Sequence, residues 1–203
     1  MDFIWKRVRK SLIKKRPDNY QEKKEQLDNL KESEKEGNFK IYYADGSIFN
    51  LTPSVPYAWQ PIGVRIELPS FRSENLNLFG IFDADKDLEL YSVKGSMTSE
   101  VIISFIDDFC KKKKDEEIAL VIDNASVHRS KLFKSKELEW KNKGLTIFYL
   151  PTYSPHLNLI EHLWRFMKYE WLDFNIYDCW DNLVKYVENI AKNFGTKYII
   201  NFS

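Results

Sequence analysis

The chain has 203 residues, of which 43% are hydrophobic, 15% aromatic and 30% charged. That suits one globular domain with a substantial core and excludes a mainly disordered chain. The two cysteines, Cys110 and Cys179, exclude a disulfide framework and a four-thiolate zinc site and suit reduced thiols in the cytoplasm. The net charge of +1 hides an asymmetry: residues 1–16 carry +6 and the remainder −5.

Residues 1–16 read as a basic helix, with Phe3, Ile4, Val8, Leu12 and Ile13 forming an apolar stripe. Its cations are Lys6, Arg7, Arg9, Lys10, Lys14, Lys15 and Arg16, a charge pattern that suits a polyanion such as DNA. Pro17 interrupts the stripe, and residues 18–36 have helix-forming composition up to Gly37. We read residues 1–37 as an arm or linker outside the core and 38–203 as the functional domain.

From Phe39 the texture becomes β-rich. Residues 39–43 form a strand, with 48–51 as a hairpin partner across Ala-Asp-Gly-Ser. Residues 76–82 and 88–93 make a second strand pair around the polar turn 83–87. That turn opens like a calcium loop, but Leu88 and Lys94 stand where glycine and the closing glutamate are needed. Thr98 caps a helix whose stripe is Val101, Ile102, Phe105, Ile106 and Phe109. Residues 118–122 are a continuous apolar run, as in a buried strand, and 145–150 resemble it; both are expected to be central. A helix over 131–141 lies between them, and helices over about 157–172 and 179–194 finish the chain. The order β, β, β, α, β, α, β, α, α implies an α/β fold with a mixed sheet and helices on both faces. No apolar run is long enough to span a bilayer, and no signal peptide is evident.

The chain has no Gly-rich phosphate loop, no GxSxG elbow and no zinc-hydrolase histidine spacing. Acids remain at element ends: Asp45 after the first strand run, Asp123 after a buried strand, and Glu161 one turn into a helix. Strand C-termini face the ligand crevice in open α/β sheets. Three converging carboxylates need a cation, and oxygen ligands select Mg²⁺ or Mn²⁺. Each acid also has a plain structural reading: a turn at Gly46, an Asx turn after Asp123, and an i,i+4 pair of Glu161 with Arg165. Asn158, Glu161, Arg165 and Lys168 form a polar stripe beside the apolar stripe of Leu157, Ile160, Trp164, Met167 and Trp171.

Three blocks then become specific. They are Asp45 after a β run, Val121-Ile-Asp-Asn-Ala-Ser-Val-His128, and Leu150-Pro-Thr-Tyr-Ser-Pro-His-Leu-Asn-Leu-Ile-Glu-His-Leu-Trp164. Together they resemble the DDE transposases of the IS630/Tc1/mariner superfamily, and the bacterial IS630-type insertion-sequence enzymes above all. Residues 56–60 and 198–203 also look like that family. The resemblance implies an RNase H-like five-stranded mixed sheet flanked by helices. It further implies that Asp45, Asp123 and Glu161 are catalytic and hold Mg²⁺ or Mn²⁺, two ions in all, with Asp45 bridging them. Asn124, His128, Asn158 and Arg165 are then candidates for supporting or DNA-contacting roles.

The implied activity is DNA strand cleavage and strand transfer of an insertion element, on transposon ends and target, by a homodimer or higher assembly on DNA in the bacterial cytoplasm at the nucleoid. Relatives carry helix-turn-helix domains ahead of the catalytic part, whereas this chain reaches it within about forty residues. That fits a split gene with an upstream helix-turn-helix polypeptide, or a truncated remnant. The competing readings are a non-catalytic DNA-binding or assembly remnant and an RNase H-like nuclease acting on RNA or junctions.

Overall fold

The computed structural model describes residues 17–52, 62–63, 74–84, 87–171 and 174–201. The basic residues of 1–16 and the 56–60 block lie outside the described residues. The elements are α1 (Tyr20–Lys35), β1 (Lys40–Phe49), β2 (Leu76–Phe82), β3 (Leu88–Lys94), α2 (Ser99–Lys112), β4 (Ile118–Ile122), α3 (Lys131–Lys141), β5 (Leu145–Tyr149), α4 (Ile160–Arg165) and α5 (Trp180–Asn193). Short 3₁₀ turns lie at Ser126–Arg129, Pro155–Leu157 and Phe174–Tyr177, and a π-helical turn at Phe166–Glu170 continues α4.

The sheet order is β3-β2-β1-β4-β5, with β1, β4 and β5 parallel and β2 and β3 antiparallel to their neighbours. Side chains alternate across a strand, so β1 feeds two cores. Ile41 and Tyr43 meet Trp164, Met167, Leu183 and Ile190 on one face, while Tyr42 and Ala44 meet Ile106, Phe109, Phe133 and Trp140 on the other. The Trp140 indole donates to Asp107 Oδ1 at 2.7 Å and ties α3 to α2. Thr98 and Ser130 cap α2 and α3 by accepting from Val101 N and Phe133 N.

Three expectations need correction. The hairpin of 39–43 with 48–51 does not form; β1 is one strand through Phe49. Gly46 does not adopt the positive φ of a tight turn, and β2 offers antiparallel partners from Tyr43 through Phe49. The run 145–150 is not central: β5 is the edge strand beside β4 and is half-buried along most of its length. β4, buried at all five positions, is the inner strand. Finally, the segment read as lying outside the core contributes to it. Leu27 of α1 is fully buried in the Trp164 face, and Glu34 Oε1 accepts from Ile41 N at 2.6 Å. The two-leucine stripe of α1 is narrow, but it is sufficient to dock a helix whose other faces are charged.

The turn between β2 and β3 is a polar hairpin turn, as expected. Asp83 N donates to Asp87 O, Asp87 N donates to Asp83 Oδ1, and Asp87 accepts from the Tyr42 hydroxyl and pairs with Lys113. Asp83 and Asp87 are thus committed to protein partners.

Gly80 positions α4. It lies opposite Asp45 in the β1–β2 ladder. A Cβ built there would stand 2.9 Å from both Ile160 Cδ1 and Trp164 Cη2. Only glycine lets the helix bearing Glu161 sit this close to the strand bearing Asp45. Gly80→Ala is expected to cost about 1–3 kcal/mol through overpacking. An unchanged denaturation midpoint would contradict this close approach.

Candidate active site

The parallel pairing of β1 with β4 ends at Ala44 opposite Ile122. The next residues, Asp45 and Asp123, therefore stand side by side at the same end of the sheet. Alternation places both on the face shared by Tyr43, Val121 and Gly80, beneath α4. Glu161, in the first turn of α4, comes from above. Asp45, Asp123 and Glu161 line one open cleft of about 350 Å³.

Asp123 is held firmly. Its Oδ1 accepts from Ala125 N at 3.1 Å and lies 2.9 Å from His128 Nδ1. Burial alone would raise its pKa, but these two bonds and the His128 charge outweigh it, and the carboxyl lies below its ordinary range. His128 is buried against Phe133, and its Nε2 has no partner among the described residues. Asn158 is also buried. Its amide donates to Ala44 O at 3.2 Å, the carbonyl just before Asp45, and so ties the loop preceding α4 to β1.

Asp45 behaves oppositely. Burial first, then the negative charge of Glu161 and that of Asp123, push it up to about 7, against the opposing Gly46 N–H and His128. Glu161 is likewise raised by burial and by Asp123, with Lys168 and His162 opposing. Lys168 is lowered by burial, against the attraction of Glu161 and Asp45. The folded protein therefore holds the Asp45 proton more tightly than the unfolded chain does, and the contribution of this group to stability is lost as pH rises from about 4 through 7. In chelator, Asp45→Asn is expected to stabilise the protein by about 2–4 kcal/mol near pH 8 and by little near pH 4. A gain of equal size at both pH values, read by denaturant titration, would contradict this electrostatic origin.

The donor set fits a hard divalent cation: three carboxylates, two of them, Asp45 and Glu161, disfavoured as anions by burial and by a neighbouring carboxylate. Among the described residues Asp123 Oδ2 has no partner, because both of its hydrogen bonds there fall on Oδ1. Among the described residues no group of three or more acids, histidines or cysteines is placed to hold a metal ion; the three carboxylates line the cleft without forming a preassembled site.

Asn124 and Asn158 line the cleft with the three acids, and His128 reaches it through Asp123. Arg165 is exposed, with its guanidinium 5.1 Å from the Phe166 ring, and does not line the cleft. Two further lining residues, Arg129 and Tyr153, are absent from the candidates read from the sequence. Arg129 ends the 3₁₀ turn after Asp123, and its adjacency to the DNAxxH block is the signal that points to it. Tyr153 sits inside the quoted proline-rich block with a backbone conformation that no sequence pattern reveals.

Comparison with known proteins bears on this geometry. Residues 40–184 match the family model described as DDE superfamily endonuclease. An IS630 insertion-element 39 kDa protein from Shigella sonnei is 27% identical over 128 residues, 62% of this chain and 36% of that protein. The protein y4pE/y4sA from Sinorhizobium fredii is 32% identical over 65 residues, 32% of this chain and 44% of that protein. The chain thus spans less than half of these relatives. The Mos1 strand transfer complex shares the fold with a TM-score of 0.64 at 14% identity, over 93% of this chain and 58% of that one. The Mos1 mariner catalytic domain gives 0.56 at 14%, over 90% and 85%. The five-stranded mixed sheet flanked by helices is accordingly the RNase H-like arrangement expected from the sequence.

Proposed function

Since the chain belongs to the DDE superfamily of endonucleases, we propose that it is the catalytic part of a bacterial insertion-element transposase, cutting DNA and transferring the cut strand. The observation that carries this reading is the meeting of Asp45, Asp123 and Glu161, from two adjacent parallel strands and a helix, in one cleft. Residues 38–203 form the catalytic unit, with α1 docked on its core through Leu27, and the basic residues 1–16 form its arm. The relatives and neighbours named above support it: an insertion-element protein, and Mos1 transposase structures described as strand transfer and paired-end complexes.

Asp45, Asp123 and Glu161 are the residues that would hold Mg²⁺ or Mn²⁺, two ions in all. Divalent cations at such a site supply Lewis acidity for in-line attack at phosphorus. The chain's own residues do the rest. Ala125 N–H and His128 fix Asp123 so that Oδ2 is the oxygen offered to a cation. Asn158 keeps the loop before α4, and hence Glu161, in register with Asp45. Lys168 balances the charge of Glu161 and Asp45, and Arg129 supplies a cation for a DNA phosphate at the cleft mouth.

DNA is the substrate, as transposon ends and target. A homodimer or larger assembly forms on it in the bacterial cytoplasm. The arm cations from Lys6 to Arg16 contact phosphates, and an upstream helix-turn-helix polypeptide reads the end sequence. Among the described residues no helix is long and apolar enough to cross a membrane.

The test is incubation of the full chain, with the upstream polypeptide, on DNA carrying the element's end. Cleavage with Mg²⁺ or Mn²⁺ and none with chelator is expected. DNA binding without cleavage under either cation would instead favour the non-catalytic remnant.

A further inference from the structure

Helix α4 changes its hydrogen-bond register where it leaves the cleft. Its α-helical part ends at Arg165, and Phe166–Glu170 continue it as a π-helical turn. Trp171 N donates to Phe166 O at 2.9 Å, five residues back, and not to Met167 O, its partner in an α-helix. The Met167 carbonyl accepts instead from the hydroxyl of Tyr186 on α5. Tyr186 belongs to the stripe Leu183, Tyr186, Val187 and Ile190, which α5 buries in the same core as Trp164 and Met167. A phenylalanine would fill that position as well. A hydroxyl buried there is tolerable only with a partner, so the bond to Met167 O is what a tyrosine adds. Lys168 lies in the π-helical turn, next to that carbonyl, and is half-buried. Its ammonium stands 5.1 Å from the centre of the Phe49 ring and feels the negative charges of Glu161 and Asp45. Phe49 and Asp45 are four residues apart on β1 and share one face of the sheet. An extra residue in the turn changes the azimuth of Lys168 about the helix, so whatever holds the turn also sets where the ammonium points.

We propose that Tyr186 is a positioning residue for DNA cleavage: its hydroxyl holds the π-helical turn and so keeps the Lys168 ammonium over β1, in the field of Asp45 and Glu161. This rests on the DNA-cutting reading above and adds to it the group that places the lysine. Tyr186 lies in the core and touches no reacting atom. Lys168 offsets negative charge where a phosphate must approach carboxylates, and a preplaced cation does this without reorganising during the reaction. A displaced ammonium therefore raises the barrier to attack while the three acids stay where they are.

Two measurements on the full chain test this. Lysine-selective ¹³C NMR in chelator reads the place of the ammonium, because the Phe49 ring shifts the signal of the adjacent Lys168 methylene upfield. That signal is identified by its absence from Lys168→Gln. Tyr186→Phe keeps the ring and its packing, and is expected to move the Lys168 signal toward those of the exposed lysines. Single-turnover cleavage of end DNA with Mg²⁺, in the presence of the upstream polypeptide, reads the consequence. Tyr186→Phe is expected to slow cleavage about tenfold in the wild-type background and less than about twofold on Lys168→Gln, because the effect runs through the ammonium. Thermal unfolding confirms that each variant folds. A Lys168 signal unmoved in Tyr186→Phe, or equal slowing in the two backgrounds, would overturn the proposal and leave Tyr186 a packing residue, with the DNA-cutting reading untouched. If wild type cuts with neither Mg²⁺ nor Mn²⁺ while the signal moves as expected, the DNA-cutting reading falls and the hold of Tyr186 on Lys168 stands.

Discussion

Asp45→Asn is expected to slow DNA cleavage by about a thousandfold, ~4 kcal/mol of barrier, while leaving duplex affinity nearly intact. The reason lies in its position. Asp45 is flanked by Asp123 on the neighbouring strand and by Glu161 above, and both raise its pKa. An amide keeps the size of the side chain and relieves that repulsion, so the fold gains while the anionic oxygen is lost. A variant more stable in chelator and less active with Mg²⁺ separates a functional carboxylate from a structural one. Single-turnover cleavage beside anisotropy binding reads both effects. Cleavage within about tenfold of wild type would remove Asp45 from the mechanism.

Trp164→Ala is expected to destabilise the protein by about 3–5 kcal/mol. Trp164 is 3% exposed, packs edge-on to Phe49 at 6.2 Å, and covers the space that Gly80 leaves open. Its removal opens a cavity between α4 and the sheet that neighbouring backbone cannot fill. The indole Nε1 is buried without a partner among the described residues, so the ring contributes through packing and not through a hydrogen bond. Trp164→Phe, which retains an aromatic ring and removes the orphaned donor, is expected to cost clearly less. Equal losses for Ala and Phe, measured by urea titration, would contradict the packing account.

Legibility in the sequence followed the physics of each element. β4 was plain, because five consecutive apolar residues suit only a strand buried on both faces. The same rule misled at β5, whose apolar residues face helix α3 and the Lys23 and Lys134 side chains at an edge. Asp45 was placed at the end of the first strand run, yet β1 continues through it, since Gly46 is as tolerable in a paired strand as in a turn. The role of Gly80 was invisible, because it depends on α4 lying opposite. The three acids could be named from their blocks, but the opposite shifts of Asp45 and Asp123 could not. One follows from burial beside like charge, and the other from a histidine five residues away that only the 3₁₀ turn brings back. Arg129 and Tyr153 depend on loop geometry, which leaves little periodicity to read.

The central claim is that Asp45, Asp123 and Glu161 act as one divalent-cation site. Calorimetric titration of the full chain with Mn²⁺ tests it most directly, since it needs neither DNA nor turnover. Wild type should bind Mn²⁺, and Asp45→Asn, Asp123→Asn and Glu161→Gln should each weaken that binding severely, with thermal unfolding confirming that each variant folds. Mn²⁺ bound as tightly by the triple variant as by wild type would contradict it.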